Sequence, residues 1–145
     1  MIALIQRVNY AKVFISNELY SEIGEGLLVF VGIEKKDSRS NIGKLLEKLL
    51  VYRIFNDVEG KMNLSVQDKH GEIMLVSQLT LAASTNKGLR PSFSSAKIPS
   101  EAKELFDHLV SFAKDKYPKT KSGKFAADMR IVLENNGPVT FHIQG

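Results

Sequence analysis

GLLVFVGI, residues 26–33, is an apolar run introduced by Gly24 and Gly26. An uninterrupted run of that length, rather than an alternating one, is how a strand buried on both faces reads. Downstream the period changes. Ile42, Leu45, Leu46, Leu49 and Leu50 fall at i, i+3, i+4, i+7 and i+8, which is one apolar stripe of a helix over 38–52. Asp37 or Ser38 stands where its cap belongs. Upstream, residues 2–15 alternate loosely, with Ala11, Val13 and Ile15 on one face of a half-buried strand. Ser16-Asn17-Glu18 turns the chain into a second strand, Leu19–Ile23. Further on, a short RIF strand (53–55) runs into a loop at NDVEG (56–60), and GEIMLVSQLTLA (71–82) reads as another buried strand. Residues 83–99 are rich in Ser, Gly and Pro and read as loop. Ser100 is placed to cap a second helix with the stripe Ala102, Leu105, Phe106, Leu109 and Phe112, which Pro118 stops. Two closing strands, about 128–134 and 139–143, flank a turn at Asn135-Asn136-Gly137-Pro138. The balance is α+β: a single domain over residues 1–145, mostly antiparallel strands with two main helices.

Composition narrows the function classes. The 145 residues are 43% apolar and 25% charged, as in an ordinary globular protein. There is no cysteine, which excludes disulfides and thiolate metal sites and suits a reducing, cytoplasmic compartment. No stretch approaches the roughly 20 apolar residues of a membrane span. MIALIQRVNYAKV does not read as a signal peptide, because Gln6 and Arg7 interrupt a very short apolar start. The net charge of +4 is compatible with a phosphate-bearing partner, though no long basic block is present. His70, His108 and His142 lack metal-ligand spacing. Gly24-Glu25-Gly26 and Ser122-Gly123-Lys124 lack the remaining glycines of a phosphate loop, and no GxSxG elbow occurs. No metal and no cofactor are expected.

Two segments resist a purely structural reading. In SQLTL (77–81), strand alternation puts Ser77 and Leu79 on one face and Gln78 and Thr80 on the other. Polar groups inside an apolar strand are costly if buried without partners. They either satisfy one another at a strand end or line a pocket. In NNGPVT (135–140), Asn-Gly-Pro by itself reads as a simple hairpin turn.

Together these segments resemble the two signature motifs of the D-aminoacyl-tRNA deacylase family. IQRV (5–8), EIGEGLLVFVGI (22–33), YRIFNDVEGKMNLSV (52–66), KGLRPSF (87–93) and SGKFAADM (122–129) follow in that family's order and spacing. Ala126 stands where a glycine is expected, and Asn136 where an aspartate is. The resemblance implies a homodimer on barrel-like sheets. It implies that Gly137-Pro138 is cis and reaches into the partner's pocket, with its two carbonyls facing the α-carbon of the bound amino acid. Arg7 then steadies the dipeptide, Ser77, Gln78 and Thr80 surround the scissile ester, and Phe93 and Met129 lie near the 3′-terminal adenosine.

The implied activity is hydrolysis of the ester of D-aminoacyl-tRNA, with an aminoacyl-tRNA acceptor end as partner and no DNA or membrane. A rigid wall of two carbonyls selects by excluding L side chains, and glycine, with no side chain to exclude, enters. The oxyanion needs donors, expected from backbone N–H groups near 78–80. Two routes to the nucleophile stay open: Thr80, which would need an adjacent base, and water activated by the terminal ribose 2′-hydroxyl, the preferred one. Lys87 to Arg90 forms a basic segment suited to acceptor-end phosphates. Two other readings are a deacylase of a mischarged L-aminoacyl-tRNA, to which a proline in place of Ser77 would have pointed, and a tRNA-binding module without activity.

Overall fold

The computed structural model describes residues 1–145. Its organising element is a long strand, β1 (Ile2–Ile15), which a two-residue turn returns as β2 (Glu18–Ile23) and β3 (Gly26–Gly32). Ser16 and Asn17 both take positive φ, 52° and 64°, the geometry a tight hairpin turn demands. β3 pairs antiparallel with residues 2–8 of β1 and β2 with residues 11–15. Both therefore share one edge of β1. The other edge is taken along its length by β8 (Arg130–Gln144).

On the far side of β3 the pairing becomes parallel. β6 (Glu72–Ser77) runs alongside β3, and β7 (Thr120–Ser122) alongside β6. The nearly closed sheet is thus mixed, antiparallel around β1 and parallel beyond β3. Crossovers supply the helices: α1 (Arg39–Val51) lies between β3 and β6, with a small hairpin of β4 (Phe55–Asn56) and β5 (Met62–Leu64), and α2 (Pro99–Lys116) between β6 and β7. No helix is long and apolar enough to cross a membrane.

Burial follows side-chain parity. Ala3 and Ile5 of β1, Leu27, Val29 and Val31 of β3, and Ile73 and Leu75 of β6 point to the face that both helices cover. α1 contributes the stripe read from the sequence, Ile42, Leu45, Leu46, Leu49 and Leu50. The opposite face holds Val8, Ala11, Val13, Leu28, Met74 and Val76, with Ile15, Phe30, Met129, Ile131 and Leu133 half-covered around them and no helix residue among them. Along β1 the inward set changes from odd Ala3 and Ile5 to even Val8, then to odd Ala11 and Val13. A one-residue bulge explains the last change: between Val8 and Tyr10 the partner strand advances only from Asn135 to Glu134. An extra residue, Asn9, flips every later side chain to the other face.

Four expectations need correction. The strand expected over 71–82 ends at Ser77, and Leu79–Ala82 forms a 3-10 turn, so strand alternation does not apply to SQLTL. Gly32 permits this: a Cβ there would lie 2.8 Å from Leu81 Cβ, so the turn seats directly on β3. Ser100 does not cap α2; Ile98 is the N-cap and Pro99 the first helical residue, a position where a missing N–H leaves nothing unsatisfied. The two closing strands are one strand, and NNGPVT is not a hairpin. β5 and β7 were not anticipated, because three-residue strands carry no measurable period.

Candidate active site

The NNGPVT segment is a bulge in an otherwise continuous strand. β1 advances two residues, from Gln6 to Val8, while β8 goes from Thr140 to Asn135. Asn136, Gly137, Pro138 and Val139 are therefore gathered opposite one residue, Arg7. The Gly137-Pro138 peptide bond is cis, and Gly137 has φ +145°, which favours glycine. A Cβ there would meet Val139 Cγ2 at 2.6 Å and the Arg7 guanidinium at 3.1 Å.

Two side chains tie the bulge down. Arg7 is buried and has no carboxylate partner. It donates from Nε to Asn136 O at 2.9 Å and from Nη1 to Ile54 O at 2.8 Å, with Asn56 Oδ1 at 3.4 Å. Its charge is thus spent on carbonyls, and these hold the bulge to the start of β4. Asn135, which the sequence reading did not single out, replaces the missing ladder. Its Oδ1 accepts Val139 N–H at 2.7 Å, and its Nδ2 donates to Val139 O at 3.2 Å and to Thr140 Oγ1 at 3.1 Å. Asn136, Gly137 and Pro138 at the apex are exposed.

SQLTL borders a separate, mainly apolar pocket of about 270 Å³. Ser77, Gln78 and Leu79 form one wall, Val31 of β3 and Ile33 just after it the floor, and Phe125, Ala127 and Met129 the opposite side. Gln78 N–H is taken by Val31 O at 2.8 Å. Leu79 and Thr80 begin the 3-10 turn, where N–H groups have no partner within the turn. Thr80 is exposed and not part of the lining; its Oγ1 accepts from Gln78 Nε2 at 2.6 Å. An amide is no base. The lining contains no histidine or carboxylate, and its one ionisable side chain, Lys97, is engaged by Lys35 O at 2.9 Å and Glu101 at 3.3 Å. Met129 reaches the pocket, whereas Phe93 lies in the exposed loop before α2 and does not. Ala126, also in the lining, has φ +60°, the left-handed region where glycine is at ease. Pro99 and Ala102 of α2 and Phe125 and Ala127 of the loop after β7 also line the pocket and were not expected there, because small and apolar side chains carry no chemical signature. Lys87 and Arg90 are exposed in the loop that leads to α2.

Within one chain the two motifs are far apart. The bulge faces Arg7, which is in register with Leu27 and Ile73, while Ser77 is in register with Val31. That is three strand spacings across and four residues along, roughly 20 Å over the sheet. No residue lines both the pocket and the shallow cleft behind the bulge, where Arg7, Asn56 and Asn136 meet Glu25 and Lys69.

The family model described as D-Tyr-tRNA(Tyr) deacylase matches residues 4–144. The chain is 51% identical over 144 residues to a D-aminoacyl-tRNA deacylase of Escherichia coli O7:K1, covering 99% of each. It is 54% identical over 141 residues to one of Haemophilus influenzae, covering 97% of each. Among solved structures, a c-Myc DNA unwinding element binding protein superposes with a TM-score of 0.95 at 35% identity, covering 100% of this chain and 99% of that one. A probable eukaryotic D-amino acid tRNA deacylase shares the fold, with a TM-score of 0.84 at 16% identity over 98% of both chains.

Proposed function

The chain belongs to the D-Tyr-tRNA(Tyr) deacylase family, and from that premise we propose how it hydrolyses the ester of D-aminoacyl-tRNA: as a homodimer in which each pocket is completed by the partner's Gly137-Pro138. The observation that carries this reading is the separation of the motifs. The bulge and the Ser77–Gln78 wall lie some 20 Å apart over the sheet of one chain, and the bulge is exposed at its apex. A second copy brings them together, and two-fold symmetry makes two equal sites. The half-covered face of Ile15, Phe30, Ile131 and Leu133 gives such a dimer an apolar surface to bury.

In this reading the whole chain, 1–145, is one deacylase domain. Ser77 and Gln78 bound the ester, and the Leu79 and Thr80 N–H groups receive the oxyanion. Gln78 keeps its own N–H for Val31. Thr80 holds Gln78 in place rather than attacking, since no base stands beside it. Water, activated by the terminal ribose 2′-hydroxyl, is the nucleophile. The two carbonyls of the partner's Gly-Pro accept the substrate's amino group and leave no space for an L side chain, so D-aminoacyl and glycyl esters enter. Arg7 and Asn135 fix the carbonyls from behind. Met129 and Phe125 offer an apolar seat for the terminal adenosine; Phe93 could join only by moving from the loop. The substrate places the enzyme in the cytoplasm, with tRNA rather than DNA as its nucleic acid.

Subunit complementation tests this. A Gln78→Ala chain and a Gly137→Val chain are each made, then co-refolded in equal amounts. Half the dimers are mixed, each with one site built from two intact halves, so about a quarter of the wild-type sites return. The readout is release of amino acid from D-Tyr-tRNA, with L-Tyr-tRNA and Gly-tRNA in parallel. Full activity in a 16.2 kDa particle, or no recovery on mixing, defeats the shared site. Faster release from L-Tyr-tRNA selects the sister reading, and release from none selects the binding module.

A further inference from the structure

A second cleft, of about 470 Å³, opens on the other side of Phe125. The ring of Phe125 lines both the apolar pocket and this cleft. It is anchored by Phe106 of α2, whose ring centroid is 6.0 Å away. The walls are unlike those of the pocket. α2 presents Lys103, Asp107 and Lys114, the segment after β7 presents Lys124, and Tyr20 of β2 closes the far side. Lys103 is neutralised by Asp107, at 2.5 Å. Lys114 and Lys124 are exposed, and neither has a carboxylate within salt-bridge reach. Tyr20 is 51% exposed, which for an aromatic ring on a strand leaves a face unused. Two unpaired ammonium groups and an open ring in one cleft are the elements that hold single-stranded nucleic acid: cations follow the backbone and the ring takes a base.

We propose that this cleft seats the single-stranded 3′ end of the substrate tRNA as it leaves the pocket, with Lys114 and Lys124 on its phosphates and Tyr20 stacked on an unpaired base. The inference rests on the deacylase reading, because the pocket on the near side of Phe125 must hold the terminal aminoacyl-adenosine for the strand to run past that ring. It assigns the phosphate contacts to α2 and the segment after β7, rather than to Lys87 and Arg90 in the exposed loop.

The test compares two substrates that share the aminoacyl-adenosine end, only one of which carries the rest of the tRNA strand. D-Tyr-tRNA and the D-tyrosyl ester of adenosine are hydrolysed by wild type, by Lys114→Ala/Lys124→Ala and by Lys87→Ala/Arg90→Ala. The quantity read is the ratio of kcat/KM for tRNA to that for the adenosine ester. The first double variant lowers this ratio roughly tenfold or more at 0.1 M salt, and its salt slope on tRNA is shallower by about 1.4, since each single-strand phosphate contact carries about 0.7. Tyr20→Ala lowers the ratio without altering the slope, and Tyr20→Phe restores it. An unchanged ratio and slope in the Lys114/Lys124 variant overturns the proposal, as does a full effect carried by Lys87 and Arg90. If wild type itself releases no amino acid from D-Tyr-tRNA, the deacylase reading falls instead.

Discussion

Replacing Asn135 by alanine removes the only groups that pair with Val139. The register leaves Val139 without a partner on β1, and Val139 is buried. Its N–H and C=O both bond to the Asn135 carboxamide, at 2.7 and 3.2 Å. An unsatisfied buried backbone group costs about 1–3 kcal/mol. The exposed apex admits some water, so the two together fall near the lower end, about 2–3 kcal/mol. For a chain of this size that lowers Tm by roughly 6–12 °C. Activity falls further than stability suggests. Asn135 lies behind the dipeptide, and a displacement of about 1 Å in a positioning element can cost on the order of a hundredfold. Asn135→Asp sharpens the test. Its carboxylate still accepts Val139 N–H but loses the donor and faces Val139 O, which raises the new group's pKa in the folded state. The sign follows: stability is whole below the unfolded value near 3.9 and is lost as pH rises through the raised folded value, so this variant approaches wild type on acidification. Thermal melts at pH 4.5 and 8, with kcat/KM on D-Tyr-tRNA, read both effects. An Asn135→Ala protein with wild-type Tm and wild-type kcat/KM refutes the reasoning.

Ala126→Gly relieves a left-handed alanine at φ +60°, a gain of about 1–2 kcal/mol offset by about 0.5–1 kcal/mol of unfolded-state freedom; denaturant unfolding should show no loss and at most about 1.5 kcal/mol gained. Tyr117→Phe removes a hydroxyl that donates to Gly71 O at 2.6 Å and costs about 1 kcal/mol at pH 7. Burial first, and the negative charge of Glu72 second, push the Tyr117 hydroxyl pKa up. Stability tied to its proton is therefore present below about pH 10 and lost above it, and the Tm gap between wild type and variant should close as pH passes that value. Asp68 is held below the usual carboxylate range by the Ser65 N–H first and the Ser65 hydroxyl second, both at 2.8 Å. A depressed pKa contributes above the unfolded value and is lost as pH falls through the folded one. The deficit of Asp68→Asn in thermal melts should hold at about pH 6 and shrink progressively on acidification below the unfolded value near 3.9; a gap that does not shrink there counts against the Ser65 contacts.

Elements whose burial is one-sided or complete were legible in the sequence: the α1 stripe, the buried β3 run, the turn at Ser16-Asn17. They are legible because apolar side chains repeat with the period of the element. The errors fall where tertiary contacts override local pattern. SQLTL looks like a strand, but Gly32 lets the chain curl onto β3, and no local feature of 77–82 records the presence of that glycine. Asn135-Asn136-Gly137-Pro138 has the composition of a reversal, yet β1 continues past it and holds β8 on both sides. Turn composition reports that the backbone departs from the ladder; it does not report whether the chain returns to it. At the candidate site, Arg7, Gly137 and Pro138 were singled out through resemblance alone, while Phe125 and Ala127 of the pocket were not, since they differ in no chemical respect from ordinary packing residues.

The bulge also sets the grammar of length changes in this chain. A hairpin tip can gain or lose residues freely. Here the motif lies between two stretches of one strand that are locked in opposite phase: Val139 and Ile143 address the helix-covered core, while Ile131 and Leu133 address the other. Deleting or inserting one residue between them would turn one stretch inside out. Only steps of two preserve the phase, and the smallest such deletion takes away half of the Asn136–Val139 arch. The two cores, one on each side of the sheet, thus act as a frame counter that fixes the length of the segment that projects from it.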